Sequence, residues 1–480
     1  MKTVQRIAKN SLVLLTSNII SKILGFFYVM YIARYLGAEG FGILSFALAF
    51  TGIFSVFSDL GLGPLTVREV ARDKSLAGKY LGNITVIKIF LVIITFGLIA
   101  ITINLLGYPK QTIKVVYFLA LSVIFSSFSN IFNSIFQAYE KMQYQSIEQI
   151  LSSILVFSGA LFAINQGFSV VGFALIYFLV SAVILGYSFT ICAWKFDLPK
   201  IEVDFNFWKP IIKEALPFGL SGIFITIYYW IDSVMLSLMK GNEVVGWYNA
   251  AYRLIVILLF VPGIINIVVF PAMSRFHISS QNSLNLMSRK YFKFMLAIGI
   301  PIGVGTTLLA DKVILLIFGA GYIQSIIALQ ILVWAMVFVF ANAAFVRLFE
   351  STNKQIIVTK ITGIGMIENI VLNLLIIPRF GYVGASITTV ITEFTIVTLV
   401  LIFAYKTGYS VQRREFLTNI SKVIIASLIM GVFIWKLISL NLPILILLST
   451  LLYIGILYII GGINKEDIEL LKQVRSQRHE

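Results

Sequence analysis

The chain has 480 residues, of which 59% are hydrophobic, 14% aromatic and only 12% charged, whereas soluble globular proteins are about 45–50% apolar and about 25% charged. A mean hydropathy of +0.96 is more than a soluble core can hide, which excludes soluble enzymes, nucleic-acid readers and secreted disulfide scaffolds. One cysteine (Cys192) and two histidines (His277 and His479) leave no internal disulfide, no thiolate metal site and almost no basis for histidine chemistry, so neither cofactor nor metal is expected.

A bilayer core about 30 Å thick takes roughly 20 helical residues to cross. Apolar runs of that length predict fourteen spans, at 11–33, 41–63, 81–106, 113–136, 146–165, 169–193, 211–238, 245–272, 291–310, 323–346, 356–377, 383–405, 417–437 and 443–462. The basic opening MKTVQRIAKN precedes an apolar stretch that is too long for a signal-peptide core. That stretch has no small-residue cleavage site and contains Asn18 and Lys22, so it is expected to stay as the first span. Pro217, Pro262 and Pro301 are expected to interrupt the seventh, eighth and ninth spans.

Placing the N-terminus in the cytoplasm and alternating sides puts 27 of the 37 lysines and arginines in inside segments and 7 outside, with Lys22, Lys88 and Arg253 within spans. That asymmetry predicts a multi-pass protein of the cell membrane with both termini cytoplasmic. It also accounts for the net charge of +16 without a nucleic-acid partner. No loop exceeds roughly twenty residues, which leaves no room for an extramembrane catalytic domain. No phosphate-binding loop of the GxxxxGK[ST] kind is present. The chain is not expected to be an enzyme.

The two halves resemble each other. Val171-Gly172-Phe173-Ala174 matches Val383-Gly384-Ala385-Ser386 at an offset of 212, and Gly40-Phe41-Gly42-Ile43-Leu44 matches Val245-Gly246-Trp247-Tyr248-Asn249 at an offset of 204. Gly107-Tyr108 leading to Tyr139-Glu140-Lys141 matches Gly321-Tyr322 leading to Glu350 and Asn353-Lys354 at a similar offset. Six spans per repeat make the repeats parallel. The expected organisation is an N-lobe at 1–194, a cytoplasmic linker at 195–210, a C-lobe at 211–406, and helices 13 and 14 with a cytoplasmic tail at 407–480. Two six-helix lobes are the architecture of an alternating-access transporter.

A charge at a helix centre costs about 2.5–3.5 kcal/mol on insertion scales and normally faces a cavity or a partner. Lys22, Lys88 and Arg253 are mid-span cations, expected to line the lumen and to suit an anionic cargo; a Lys22–Asp59 pair is the main alternative. Asp59, Glu148 and Glu214 lie near span ends, where interfacial pairing is expected, and Asp232 lies in the seventh span. Glu368 and Glu393, in the eleventh and twelfth spans, are candidates for ion coupling and keep a cation antiporter open as the alternative.

The stretches Ala33-Arg34-Tyr35-Leu36-Gly37-Ala38-Glu39-Gly40-Phe41-Gly42, Phe57-Ser58-Asp59-Leu60-Gly61-Leu62-Gly63 and Arg68-Glu69-Val70-Ala71 resemble the opening of the polysaccharide transporter family. These are the Wzx/RfbX-type flippases of the multidrug/oligosaccharidyl-lipid/polysaccharide exporter superfamily. The resemblance implies an all-α, MATE-like fold of parallel six-helix repeats with two extra C-terminal helices. It also implies flipping of a polyprenyl-(pyro)phosphate-linked oligosaccharide for surface polysaccharide, such as O-antigen, or for glycoprotein glycan. The implied partners are that lipid-linked substrate, membrane lipids and glycan-assembly enzymes. Arg34, Gly37, Gly42, Asp59, Gly61, Arg68 and Glu69 carry the motif and are implied to act in gating or structure. Related lipid II flippases have an arginine in the first helix and an acid near the start of the second, where this chain aligns Tyr28 and about Ile43; those gate residues do not carry over.

Overall fold

A computed structural model describes residues 2–196, 203–409 and 413–462; residues 197–202 of the expected linker and the tail from 463 lie outside that set. Among the described residues there are fourteen helices and no strand: α1 Lys2–Ser55, α2 Leu62–Arg72, α3 Ala77–Leu105, α4 Lys110–Ala138, α5 Met142–Asn165, α6 Val170–Lys195, α7 Phe205–Lys240, α8 Asn242–Leu258, α9 Phe260–Ser279, α10 Gln281–Ile317, α11 Ser325–Ser351, α12 Gln355–Lys406, α13 Arg413–Lys436 and α14 Leu442–Ile459.

Twelve stretches are long and apolar enough to cross a bilayer, two of them far too long for one pass: Val13–Ser58 has 46 residues and Gln355–Lys406 has 52. A straight 52-residue helix would run about 78 Å, more than twice the core thickness. Each is divided by a glycine that L-residues with a side chain cannot easily replace, Gly37 (φ 66°, ψ −178°) in α1 and Gly381 (φ 55°, ψ −133°) in α12. The halves of α12 lie side by side, since Thr395 donates a hydrogen bond to Glu368 (2.9 Å) across the bend. Twelve stretches with two bends give the fourteen passes expected from the sequence.

The repeat is written in the turns. Left-handed residues recur at Gly37 and Gly241, Gly107 and Gly319, Glu140 and Asn353, and Gly167 and Gly381, at offsets of 204, 212, 213 and 214. These are the offsets of the sequence matches.

The prolines behave differently from expectation. α7 runs unbroken through Pro210 and Pro217, and α10 through Pro301. Only the eighth span breaks, at Leu259 between α8 and α9. There Pro262, which has no N–H, leaves the Leu258 carbonyl without its helical partner. The second span, read as continuous over 41–63, also breaks. α1 ends at Ser55, a 3-10 turn covers Val56–Ser58, and Leu60 (φ 47°) and Gly61 (φ 85°) are consecutive left-handed residues before α2.

Packing divides the chain into two compact units. The first takes residues up to Asn249 together with Asn373–Tyr382, and the second takes Ala250–Leu372 with residues from Val383 onward. In the first, Leu65, Ile84, Phe136 and Ala215 share one core, which draws α7 onto the helices before it. In the second, α13 and α14 pack on α10 through Leu309, Met430, Tyr453 and Leu457. The Tyr453 hydroxyl donates to the Ala297 carbonyl (2.7 Å), and Lys312 donates to the carbonyls of Ile438 and Leu440 just past the end of α13. Large apolar side chains such as Leu105, Leu447 and Ile459 stand exposed on the outer faces, as in a lipid solvent, where close packing holds helices together.

Candidate functional site

The break in span 2 carries an ion pair. Asp59 sits past the 3-10 turn, where its carboxylate accepts from the Gly63 N–H (3.2 Å). Lys88 on α3 is fully buried, with its ammonium 2.7 Å from Asp59 Oδ1 and donating to the Ser127 carbonyl of α4 (2.9 Å). Ser127 in turn donates to the Ser58 carbonyl (3.0 Å). Three segments are thus knotted around one buried cation. Asp59 pairs with Lys88 rather than with Lys22, the partner weighed as the main alternative, because Asp59 lies in the break against α3 and α4, while Lys22 is exposed on α1. Lys88, expected to face a lumen, is engaged in this pair in the present conformation.

On either side of that break, spans 2 and 7–8 meet backbone to backbone. A Cβ on Gly42 would lie 1.7 Å from the Asn242 carbonyl oxygen, and one on Gly246 would lie 2.0 Å from that of Ala38. Ala38 and Asn242, like Gly42 and Gly246, are 204 residues apart, so the contact pairs equivalent positions of the two repeats. Nearby, the Tyr108 hydroxyl is 2.8 Å from that of Ser237, which donates to Asn242 Oδ1 (2.7 Å). Toward the other end of span 2, a Cβ on Gly61 would lie 2.3 Å from the Ala215 carbonyl oxygen, and one on Gly219 would lie 2.7 Å from that of Leu60. Arg68 reinforces this end, pairing with Glu69 (2.6 Å) and with Glu214 of α7 (2.5 Å). Lys79 pairs with Asp204 (3.2 Å), which caps α7 through the Asn206 and Phe207 N–H groups. That ammonium, together with the capping bonds, holds the Asp204 carboxyl below its ordinary range. Of the motif residues, Gly37, Gly42, Gly61, Asp59, Arg68 and Glu69 all enter these turns and contacts, and Arg34 is exposed on α1. Tyr28 and Ile43 are buried.

The other intramembrane charges lie elsewhere. Asp232 is buried in the first unit, accepting from the Tyr248 hydroxyl (2.7 Å) and from Asn373 Nδ2 (2.6 Å), beside an Asn249–Ser233 bond (3.0 Å). In the second unit, Arg253 is half-buried, Glu393 is buried and Glu368 accepts from Thr395 (2.9 Å). No group of three or more potential metal ligands occurs among the described residues.

A feature that charge-based reading missed is a cavity of about 740 Å3 within the first unit, enclosed by α1, α4, α5 and α6. Its lining includes seven serines, three asparagines and three glutamines, with Glu148 as its one carboxylate. The signal was in the sequence as spacing: Ser122, Ser126, Ser129 and Asn133 on α4, and Gln145, Gln149 and Ser152 on α5, recur at the three-to-four-residue interval of a helix face.

The polysaccharide biosynthesis protein profile matches residues 7–277, more than half of the chain. The chain belongs to that family. Among its relatives, a probable low-salt glycan biosynthesis flippase, Agl15, of Haloferax volcanii is 23% identical over 80% of this chain and 81% of the relative. The capsular polysaccharide biosynthesis protein CapF of Staphylococcus aureus is 25% identical over 80% of this chain and 96% of its own. A putative O-antigen transporter of Shigella flexneri is 24% identical over 75% and 88%. Among solved structures, the lipid II flippase MurJ in an inward closed conformation superposes with a TM-score of 0.77 at 18% identity, covering 95% of this chain and 99% of that one. An inward-facing multidrug resistance MATE family transporter of the MOP superfamily gives 0.65 at 18% identity, covering 81% and 94%. At these identities the likeness is one of fold, and it bears out the MATE-like repeat architecture expected of this polysaccharide biosynthesis family member.

Proposed function

We propose that the protein is a flippase that moves a polyprenyl-(pyro)phosphate-linked oligosaccharide from the inner to the outer leaflet of the cell membrane by alternating access, for assembly of a surface polysaccharide or glycan. The reading rests on a chain built almost wholly of membrane-crossing helices in a family whose members carry names of glycan flipping and O-antigen transport. The moving bodies are the two six-span repeats, 1–194 and 211–406, with the stretch 407–480 outside the repeat and both termini cytoplasmic. Two backbone contacts serve as gates: Gly42–Gly246 on the outer side, and Gly61–Gly219 with Arg68–Glu214 on the inner side.

The cargo carries an anionic headgroup, for which the candidate cations are Lys22 in the first unit, joined by Lys88 when a conformational change separates it from Asp59, and, separately, Arg253 in the second unit. One close charge pair at an effective dielectric of about 20 is worth roughly 4 kcal/mol, enough to offset part of the headgroup's desolvation and weak enough to permit release. An inside-negative potential drives each negative charge outward by about 2.3 kcal/mol per 100 mV, so the chain has no need to hydrolyse a nucleotide and acts as a transporter rather than an enzyme. Glu368 and Glu393 are the candidates for ion coupling, and glycan-assembly enzymes are the proposed protein partners.

The test is flipping of a fluorescent polyprenyl-pyrophosphate-linked oligosaccharide in proteoliposomes, with and without an imposed potential. Stimulated translocation, reduced at least tenfold by Lys22→Ala with Arg253→Ala, is expected. Proton-driven uptake of cationic dyes with no glycolipid movement would replace the reading by a cation antiporter.

A further inference from the structure

We infer that the polar cavity of the first unit is a subsite for the neutral, hydroxyl-rich sugars of the cargo. The inference deepens the flippase reading and rests on it. Within a bilayer, polar side chains without partners are costly, and a bundle keeps them only where they meet each other, water or a ligand. Here thirteen neutral polar side chains and one carboxylate surround about 740 Å3, a volume in the usual range of small-molecule sites, about 300–1,000 Å3. The lining runs on α4 from Ser122 to Gln137, about 22 Å of helix, and reaches the α4–α5 turn, the end of the bundle at which a cargo assembled on the inner side arrives under the proposed topology.

The chemistry of the lining selects among occupants. Serine, asparagine and glutamine both donate and accept, as each sugar hydroxyl does. Neither lysine, arginine nor histidine is present in the lining, so a phosphate or an acidic sugar there would sit near Glu148 with no opposing charge. A bare metal ion fares no better. The Glu148 oxygens already accept from Asn133 (2.9 Å) and from Ser188 (2.6 Å), and no second acid joins them in the lining. Tyr177 is the one aromatic residue of the lining, too few for a cage around a lipophilic cation. Meanwhile Asn133, nine-tenths buried, holds its amide toward Glu148 and leaves Oδ1 as an acceptor without a partner among the described residues. That is a group waiting for a hydroxyl.

The wall is fixed as well as polar. Gln149 donates to Asn18 Oδ1 (2.8 Å) and accepts from Ser17 (3.1 Å), pinning α5 to α1. One turn beyond Asn18, at the same face of α1, stands Lys22. The phosphate that links lipid to sugar would lie there while the sugars enter the cavity.

Two measurements test this. Cys192 is buried, so Ser152→Cys provides a cavity label for a neutral maleimide with little background. Maltotriose or N,N′-diacetylchitobiose should slow labelling at least threefold, and a trigalacturonate of the same length at equal concentration should not. In proteoliposomes, Ser152→Phe and Ser126→Phe should depress movement of a neutral-glycan carrier at least tenfold more than movement of bare polyprenyl pyrophosphate. Absent protection, equal protection by the acidic trimer, or equal loss for both carriers would overturn the inference. A wild-type chain that moves neither carrier while protection persists would instead sink the flippase reading and leave the cavity a sugar site.

Discussion

Lys88 shows what a residue's surroundings add to its identity. As a lone lysine in an apolar run it reads as a lumen cation, because insertion cost alone says it must meet something polar. The partner is a carboxylate that becomes available only because span 2 breaks at Ser55. That break depends on the left-handed conformations of Leu60 and Gly61, which no apolar periodicity announces. Removing one member of a buried pair strands the other. Asp59→Ala should therefore cost about 3–5 kcal/mol, read as a drop in melting temperature of the purified protein. Asp59→Asn with Lys88→Met should recover most of it, and a double variant as unstable as Asp59→Ala would refute the pairing argument. At the surface, Asp204 gives a pH signature. Its carboxyl is held below the ordinary carboxylate value by Lys79 and the α7 cap, so its stabilisation is complete above that ordinary value and is lost as pH falls through the depressed one. The melting-temperature difference between wild type and Asp204→Asn should be constant at neutral pH and close up in acid; a difference that widens in acid would reverse the sign.

At the level of elements, the fourteen passes were legible because long apolar runs record the membrane directly. The 54-residue and 52-residue helices α1 and α12 are each two predicted spans joined through one glycine. What could not be read was which proline interrupts. Pro217 and Pro301 sit in unbroken helices, whereas Pro262 follows a break, and the difference lies in how neighbouring groups take up the freed carbonyl. Gly37 has a φ/ψ combination open almost only to glycine, so Gly37→Ala should cost about 1–3 kcal/mol. Glu140 and Asn353, left-handed at equivalent turns, should accept glycine without loss; thermal unfolding in a mild detergent compares the three. Gly42 makes a sharper case. Its Cβ would overlap the Asn242 carbonyl, so Gly42→Val should hold that contact open, raise maleimide labelling of Asn242→Cys severalfold and stop transport. Unchanged labelling would remove this contact from the list of gates.

For the whole molecule, sequence reading reached the family and the repeat, and it searched for chemistry among the charges. The cavity is walled by thirteen neutral polar side chains and one carboxylate, and serine and asparagine in a membrane helix pass for ordinary packing residues until four helices bring their faces together. Charge is visible one residue at a time, whereas a polar wall shows in the sequence only as a helical spacing on each separate helix, and three dimensions assemble the faces into a cavity. The reciprocal contact of Gly42 on Asn242 and Gly246 on Ala38 bears on ancestry. A patch that meets its own equivalent is what a two-fold homodimer presents, so two separate half-length chains in one membrane orientation would find each other through it, and the present protein is in effect such a dimer fused. A dimer of identical halves must carry every site twice. Fusion lifts that rule: at the shared offset of 204, Asp59 corresponds to Gly263, and the ion pair that locks one half has no counterpart acid in the other. One ancestral surface could thus be kept for docking the halves while their interiors took up different work.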